Sequence, residues 1–255
     1  MTEKKQMRKR KQKKHNYITY LVIFLIWGLC FLWGVQTTKA DKNFSIKSVI
    51  DDAQTKAISS DSSIMFEGKT IVIDAGHGGF DPGTIGPITG AKESDTNLSI
   101  AMKLEQRLKE LGATVRMTRT TENTEALGDS RKFSEEERAA VIESEDADLM
   151  LSMHQNFNEQ SSDIMGVQVL VRDEKYLQMA EFLQSEFNLA LDVNLNCIHK
   201  PYRLLQYGNQ PSFIIECGFF SNPQEEKKLQ TEEYQETLID ILIEALSAYW
   251  KLPSE

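Results

Sequence analysis

The sequence predicts a single α/β domain, a mostly parallel sheet of about six strands covered by helices, preceded by one N-terminal membrane helix. Short β-branched or apolar runs at 71–73, 148–153 and 213–215 alternate with segments whose apolar residues recur at helical spacing. That alternation is the pattern of helices laid over a parallel sheet. A basic block followed by an uncharged apolar stretch stands apart from it at the amino end.

Residues 1–16 read as a basic cytoplasmic tail, with eight Lys/Arg and one acid, Glu3, in the first fourteen positions. Tyr17 to Val35 is nineteen residues without a charge, close to the length that spans a bilayer. Tyr17, Tyr20 and Trp33 suit interfacial positions, and the basic flank should stay inside. The expectation is a transmembrane anchor over 17–35, or a signal cleaved after Ala40. Either places the folded domain outside the cytoplasm, tethered to the membrane or secreted. Residues 36–67, with Ser59-Ser60-Asp61-Ser62-Ser63, read as a linker, and 68–252 as the folded domain. Beyond residue 40 the formal charge is −17, which excludes the basic footprint of a nucleic-acid binder. The acidic runs Glu135-Glu136-Glu137 and Glu225-Glu226 read as solvated helix faces.

From Lys69 the expected order is a strand, a glycine-rich loop, and a helix at about 94–111 with the stripe Leu98, Ala101, Leu104, Leu108 and Leu111. A strand at Thr114–Thr118, a helix at about 131–144 and a strand running to His154 come next. A strand at Val167–Val171 precedes a helix with the stripe Tyr176, Met179, Ala180, Leu183 and Phe187. The strand at 213–215 and a final helix from Tyr234 to Tyr249 complete it. About 185 residues are enough for one core, and no internal repeats are visible. Cys197 and Cys217 could pair, but there is no dense disulfide framework. Cys217 follows Glu216 on a strand and so should point to the opposite face, as a core residue. His199 reads as a loop residue, and Arg138 either buttresses the fold or pairs with an acid near the site.

The chemistry-bearing residues lie at strand ends. Ile71-Val72-Ile73 breaks into a loop with Gly76, Gly78, Gly79, Gly83 and Gly86 that holds His77. The strand at 148–153 ends on His154, and Phe213-Ile214-Ile215 ends on Glu216. In an open α/β sheet the functional crevice lies outside the carboxyl ends of the strands, so these three groups should converge. An acid straight after three apolar residues also needs a partner or a task. Glu93, where a loop enters a helix, would be favoured there by the helix dipole alone. Beside two histidines it looks like the third ligand of a His-Glu-His site, the open arrangement of catalytic zinc. Asn156, two past His154, either contacts substrate or serves a turn.

Four stretches, IDAGHGGFDPGTIG (73–86), KESDTNL (92–98), DLMLSMHQN (148–156) and FIIECGFFSN (213–222), resemble the zinc-dependent N-acetylmuramoyl-L-alanine amidases of the amidase-3 type. The resemblance runs over about residues 68–250, with the blocks in the family's order. It implies one zinc ion held by His77, Glu93 and His154, with Glu216 as the catalytic carboxylate. It also implies cleavage of the amide between N-acetylmuramic acid and L-alanine of the peptidoglycan stem peptide. The sequence departs from the family at Ala75, where proline is usual, at Met153 and Gln155 in place of isoleucine and alanine, and at Cys217 in place of a small aliphatic residue. No ligand is lost.

The residues alone reach metal-assisted hydrolysis of an amide or ester: zinc brings the pKa of water down to about 7, and Glu216 can take and return a proton. A zinc exopeptidase acting on wall peptides is one alternative, although such enzymes commonly use a His-x-x-Glu pair and His77 and Glu93 stand sixteen apart. A non-catalytic peptidoglycan-binding protein is another. The single-domain layout, without repeats or an inserted helical plug, looks like the spore-cortex amidases and implies restraint by timing or by an activator protein.

Overall fold

The computed structural model describes residues 65–121, 135–144 and 146–252. The basic tail, the 17–35 anchor, nearly all of the 36–67 linker and the expected helix start at 131 lie outside these residues. Among the described residues no helix is long and apolar enough to cross a membrane. Phe66, within the expected linker, is fully buried and packs edge-on against Trp250, with ring centroids 5.4 Å apart.

Six strands form one sheet: β1 (Thr70–Ala75), β2 (Thr114–Met117), β3 (Leu149–Asn156), β4 (Gln168–Val171), β5 (Ile198–His199) and β6 (Ser212–Phe219). Their order is β2-β1-β3-β6-β4-β5. The first four in this order are mutually parallel, and the outer pair β4–β5 runs the other way. The reversal has a local cause. A parallel crossover needs a dozen or more residues, normally a helix, whereas β3 reaches β4 through a helix-free loop. β5 is only two residues long, too short to leave a period-two signal, and it makes His199 an edge-strand residue rather than a loop residue.

The helices are α1 (Glu93–Glu110), α2 (Glu135–Ser144), α3 (Leu177–Leu191), α4 (Pro223–Leu229) and α5 (Glu232–Trp250). The short α4 was not foreseen; Asn222 caps it by accepting from the Gln224 and Glu225 amides, and Pro223 opens its first turn. Alternation along the strands splits the core in two. Ile71, Ile73, Leu149, Leu151, Met153, Phe213, Ile215 and Cys217 join the stripes of α1, α3 and α5 in the larger cluster. Val72, Met150, Leu170 and Ile214 pack with Ile142 of α2 and with Leu204 and Leu205 in the smaller. The central strands are therefore buried on both sides and read as continuous apolar runs.

Candidate active site

The carboxyl ends of β1, β3 and β6 lie side by side, and the loops leaving them carry the ionisable groups. His77 follows β1 with φ +62°, a left-handed conformation uncommon for a residue with a side chain. Two glycines make room. A Cβ on Gly76 would fall on the His154 imidazole, and one on Gly83 would meet the Glu93 carboxylate and the His77 ring. The loop then folds back through reciprocal hydrogen bonds between Gly78 and Asp81. Asp81 lies 3.1 Å from His77 Nδ1 and orients the ring.

His77 Nε2 is 3.2 Å and His154 Nδ1 3.0 Å from the same oxygen, Glu93 Oε1. One donor atom from each of His77, Glu93 and His154 lies within 4.8 Å of the other two, a spacing that can hold a metal ion. Burial favours a neutral Glu93, but the two imidazoles outweigh it and hold its carboxyl far below the usual carboxylate range. For His77, burial opposes protonation, and Glu93 and Asp81 reverse this and raise its pKa. Glu93 is further fixed by the Thr84 amide on Oε2 at 2.9 Å and by the Gln155 amide on Oε1 at 3.1 Å.

Glu216 stands across from His154 in the β3–β6 ladder and across from Gln168 in the β6–β4 ladder. Its Oε2 is buried and makes no hydrogen bond. Burial pushes the carboxyl up to about 7, the His154 and His77 rings opposing and Glu93 adding to the rise. Cys217 points to the other face and is buried in the larger cluster, as expected, and both Cys197 and Cys217 are free thiols. Asn156 gives its amide to Gln168 Oε1 at 3.0 Å and accepts from the Phe157 amide at 2.8 Å, so its side chain shapes the irregular end of β3.

Several supporting residues escaped the sequence reading. Asp74 is fully buried beneath the site and accepts from Arg138, Ser152 and Thr118. Arg138 is thus the partner of an acid near the site. The same signal that marked Glu216, an acid after three apolar residues, was present in Ile71-Val72-Ile73-Asp74. Arg119, 3 % exposed, ties together the carbonyls of Ala75, Gly76 and Ser94. Gln155 donates to Asn97 Oδ1, and Asn97 donates to the Gly76 carbonyl, which gives the departure at position 155 a role behind the Glu93 carboxylate.

The acidic run at 225–226 is a correction. Glu225 and Glu226 are both fully buried rather than solvated, because backbone amides of distant loops supply their hydrogen bonds. Glu225 accepts from Phe219 N at 2.7 Å and Gly166 N at 2.8 Å, clamping the end of β6. Glu226 accepts from the loop before α1.

This arrangement matches known proteins. Residues 71–248 fit the family described as N-acetylmuramoyl-L-alanine amidase. The germination-specific N-acetylmuramoyl-L-alanine amidase of Bacillus subtilis (strain 168) is 30% identical over 251 residues, covering 94% of this chain and 96% of that protein. An uncharacterized Bacillus subtilis protein, YqiI, is 31% identical over 72% of this chain and 86% of its own length. Among solved structures, the CwlD amidase of Clostridioides difficile, in complex with the GerS lipoprotein, superposes with a TM-score of 0.65 at 29% identity, over 73% of this chain and 100% of that one. A match that runs from β1 into α5, with relatives alignable along most of their lengths, makes this chain a member of the N-acetylmuramoyl-L-alanine amidase family and an enzyme of that class.

Proposed function

We propose that the chain hydrolyses the amide between N-acetylmuramic acid and L-alanine of the peptidoglycan stem peptide, with zinc held by His77, Glu93 and His154 and with Glu216 as the catalytic acid–base. The observation that carries this is the meeting of three donor atoms from separate elements within 4.8 Å, beside a buried carboxylate oxygen with no partner. Two imidazoles and one carboxylate are a donor set that suits zinc and leaves a position open for substrate. Zinc bound there supplies Lewis acidity, polarising the scissile carbonyl and making water acidic enough to attack near neutral pH.

The chain's own residues account for the proton. Glu216 takes it from the attacking water at its unpartnered oxygen and returns it to the departing L-alanine nitrogen. Water thus adds across the amide, leaving a carboxylic acid on the lactyl group and an amine on the peptide. A carboxyl pushed up to about 7 is matched to both halves of that task at neutral pH. Asp81, Thr84 and the Gln155 amide hold the ligands in place, so little reorganisation is needed when substrate arrives.

Relatives that include germination-specific and probable cell wall amidases support an extracytoplasmic setting. The domain acts outside the cytoplasm on wall or spore-cortex peptidoglycan, tethered through residues 17–35. A partner protein regulates it; the similar CwlD amidase was solved together with the GerS lipoprotein. The test is to incubate the zinc-loaded full-length chain with muropeptides and read the products by mass spectrometry beside Glu216→Ala. Stem peptides with a new L-alanine amino terminus, absent from the variant, support the proposal. Shortened peptides still attached to muramic acid refute it.

A further inference from the structure

The loop between His77 and α1 is anchored at a point remote in sequence. The Glu226 carboxylate, fully buried on α4, accepts from Ile88 N at 3.1 Å and from both the amide and the hydroxyl of Thr89 at 2.6 Å. No lysine or arginine pairs with it among the described residues, so its charge is met by the dipoles of this loop. The loop closes on itself there. Gly86 N donates to Ala91 O at 2.8 Å, Gly90 N to Gly86 O at 2.9 Å, and Ile85 bridges to Lys92. A Cβ on Gly86 would fall on the Glu226 carboxylate, so the close approach depends on glycine. Gly90 takes φ +73°, which gives the tight return its shape.

The other end of the same loop holds Glu93. Thr84 N donates to Glu93 Oε2 at 2.9 Å, and Glu93 N donates back to Thr84 O at 2.9 Å. The Ser94 amide reaches the Pro82 carbonyl at 3.0 Å. One residue, Ile85, separates Thr84 from Gly86, the point pressed against Glu226.

We propose that Glu226 is a positioning residue for the zinc site: from α4 it fixes the Gly86–Gly90 loop, and through the Thr84–Glu93 pair it sets the orientation of the Glu93 carboxylate between the two histidines. The inference rests on the zinc site proposed above. Its physical basis is preorganisation. A ligand already held in its binding geometry does not have to be ordered when the ion arrives, so affinity is higher than for a loose one. A carboxylate is suited to the role because two oxygens collect several amides at once, which a neutral side chain of this size cannot do.

The experiment is zinc affinity of the full-length chain, measured with Zn2+ alone against a competing chromophoric chelator. Glu226→Ala is expected to raise the zinc Kd about 10- to 100-fold, the range for losing support behind a ligand. Glu226→Gln keeps one acceptor oxygen and recovers part of the loss. Gly86→Ala pushes loop and carboxylate apart from the other side, leaving α4 unaltered, and also raises the Kd. Because Kd compares metal-bound with metal-free protein, a residue that merely holds the fold lowers the unfolding midpoint and leaves Kd unchanged. A Kd within about twofold of wild type in both Glu226→Ala and Gly86→Ala overturns the proposal. Where the Glu226 variants do not fold, Gly86→Ala decides. A wild-type chain that binds no zinc would defeat the site reading itself and this inference with it. Zinc binding that is lost on His154→Ala but indifferent to position 226 defeats this inference alone.

Discussion

Replacing Arg138 with methionine should remove the cation that satisfies a fully buried acid while keeping most of the side chain's volume. Asp74 has no exposure, and Arg138 reaches it through both Nε, at 2.7 Å, and a terminal nitrogen. The methionine variant leaves Asp74 with only the Ser152 and Thr118 hydroxyls, so an uncompensated charge remains inside the sheet. Breaking one side of such a pair costs about 3–5 kcal/mol. At roughly 2–4 °C per kcal/mol for a domain of this size, the midpoint should fall by about 6–20 °C. The pH dependence carries a definite sign. Burial opposes ionisation of Asp74, but Arg138 and the hydroxyl donors win and hold its carboxyl far below the ordinary carboxylate value. Its contribution is therefore complete above about pH 4 and declines as pH falls toward its lowered folded value, so the gap between wild type and variant should begin to narrow between pH 4 and pH 3. Asp74→Asn combined with Arg138→Met should recover much of the loss, since no charge is left unpaired. Urea unfolding from pH 3 to 8 measures all of this. A loss under about 1 kcal/mol at pH 7 would refute the reasoning, because the ion pair would then be worth no more than an exposed one.

Other outcomes follow from the site and its surroundings. With Glu216 held up to about 7 against an ordinary 4.5, the native state keeps a proton that the unfolded chain has lost, and metal-free stability falls as pH rises between those values. Glu216→Gln should abolish hydrolysis, yet make the chelator-treated protein up to about 3 kcal/mol more stable than wild type at pH 8, with little difference at pH 4, by urea unfolding. Gly76→Ala sets a methyl group against the His154 ring and should weaken zinc binding at least about 10-fold by chelator competition, with the secondary structure by circular dichroism unchanged. Chelation should abolish activity reversibly, and zinc at about 100 times its Kd should stabilise the fold by about 2.7 kcal/mol over the metal-free protein in thermal unfolding. Cys217, buried, should resist a thiol reagent until the protein unfolds, whereas half-buried Cys197 reacts earlier; labelling followed by mass spectrometry reads the order.

Most of the architecture was legible because the central strands leave continuous apolar runs and the long helices leave stripes. The meeting of His77, His154 and Glu216 was legible because each ends or follows such a run, and Glu93 joined them only beside the two histidines, since the helix dipole alone would account for an acid at the start of α1. Features invisible to periodicity were missed: the two-residue strand at Ile198–His199, and the seven-residue helix at Pro223–Leu229, only two turns long. Glu225 and Glu226 misled because composition distinguishes acids from apolar residues but does not reveal which amides will arrive from residues 88, 89, 166 and 219. Asp74 meets the rule applied to Glu216, but that rule marks only a buried acid in need of partners, and those partners, Arg138 and Thr118, come from distant segments. Arg119 gave no signal, since a guanidinium buried against the carbonyls of Ala75, Gly76 and Ser94 resembles any surface arginine until the chain is folded.

The edge-on contact of Phe66 with Trp250 has a directional meaning. Phe66 lies just ahead of β1, and the Lys69 ammonium also sits over the Trp250 ring, so both ends of the described domain meet at the amino end of that strand. His77 lies past the opposite end of the same strand, about 20 Å away for six residues at ~3.3 Å each. A connection at either end of the domain thus attaches at the end of the sheet opposite His77. Joining the two ends by a short peptide and opening the chain at an exposed surface turn should yield a circular permutant with the same fold and the same site.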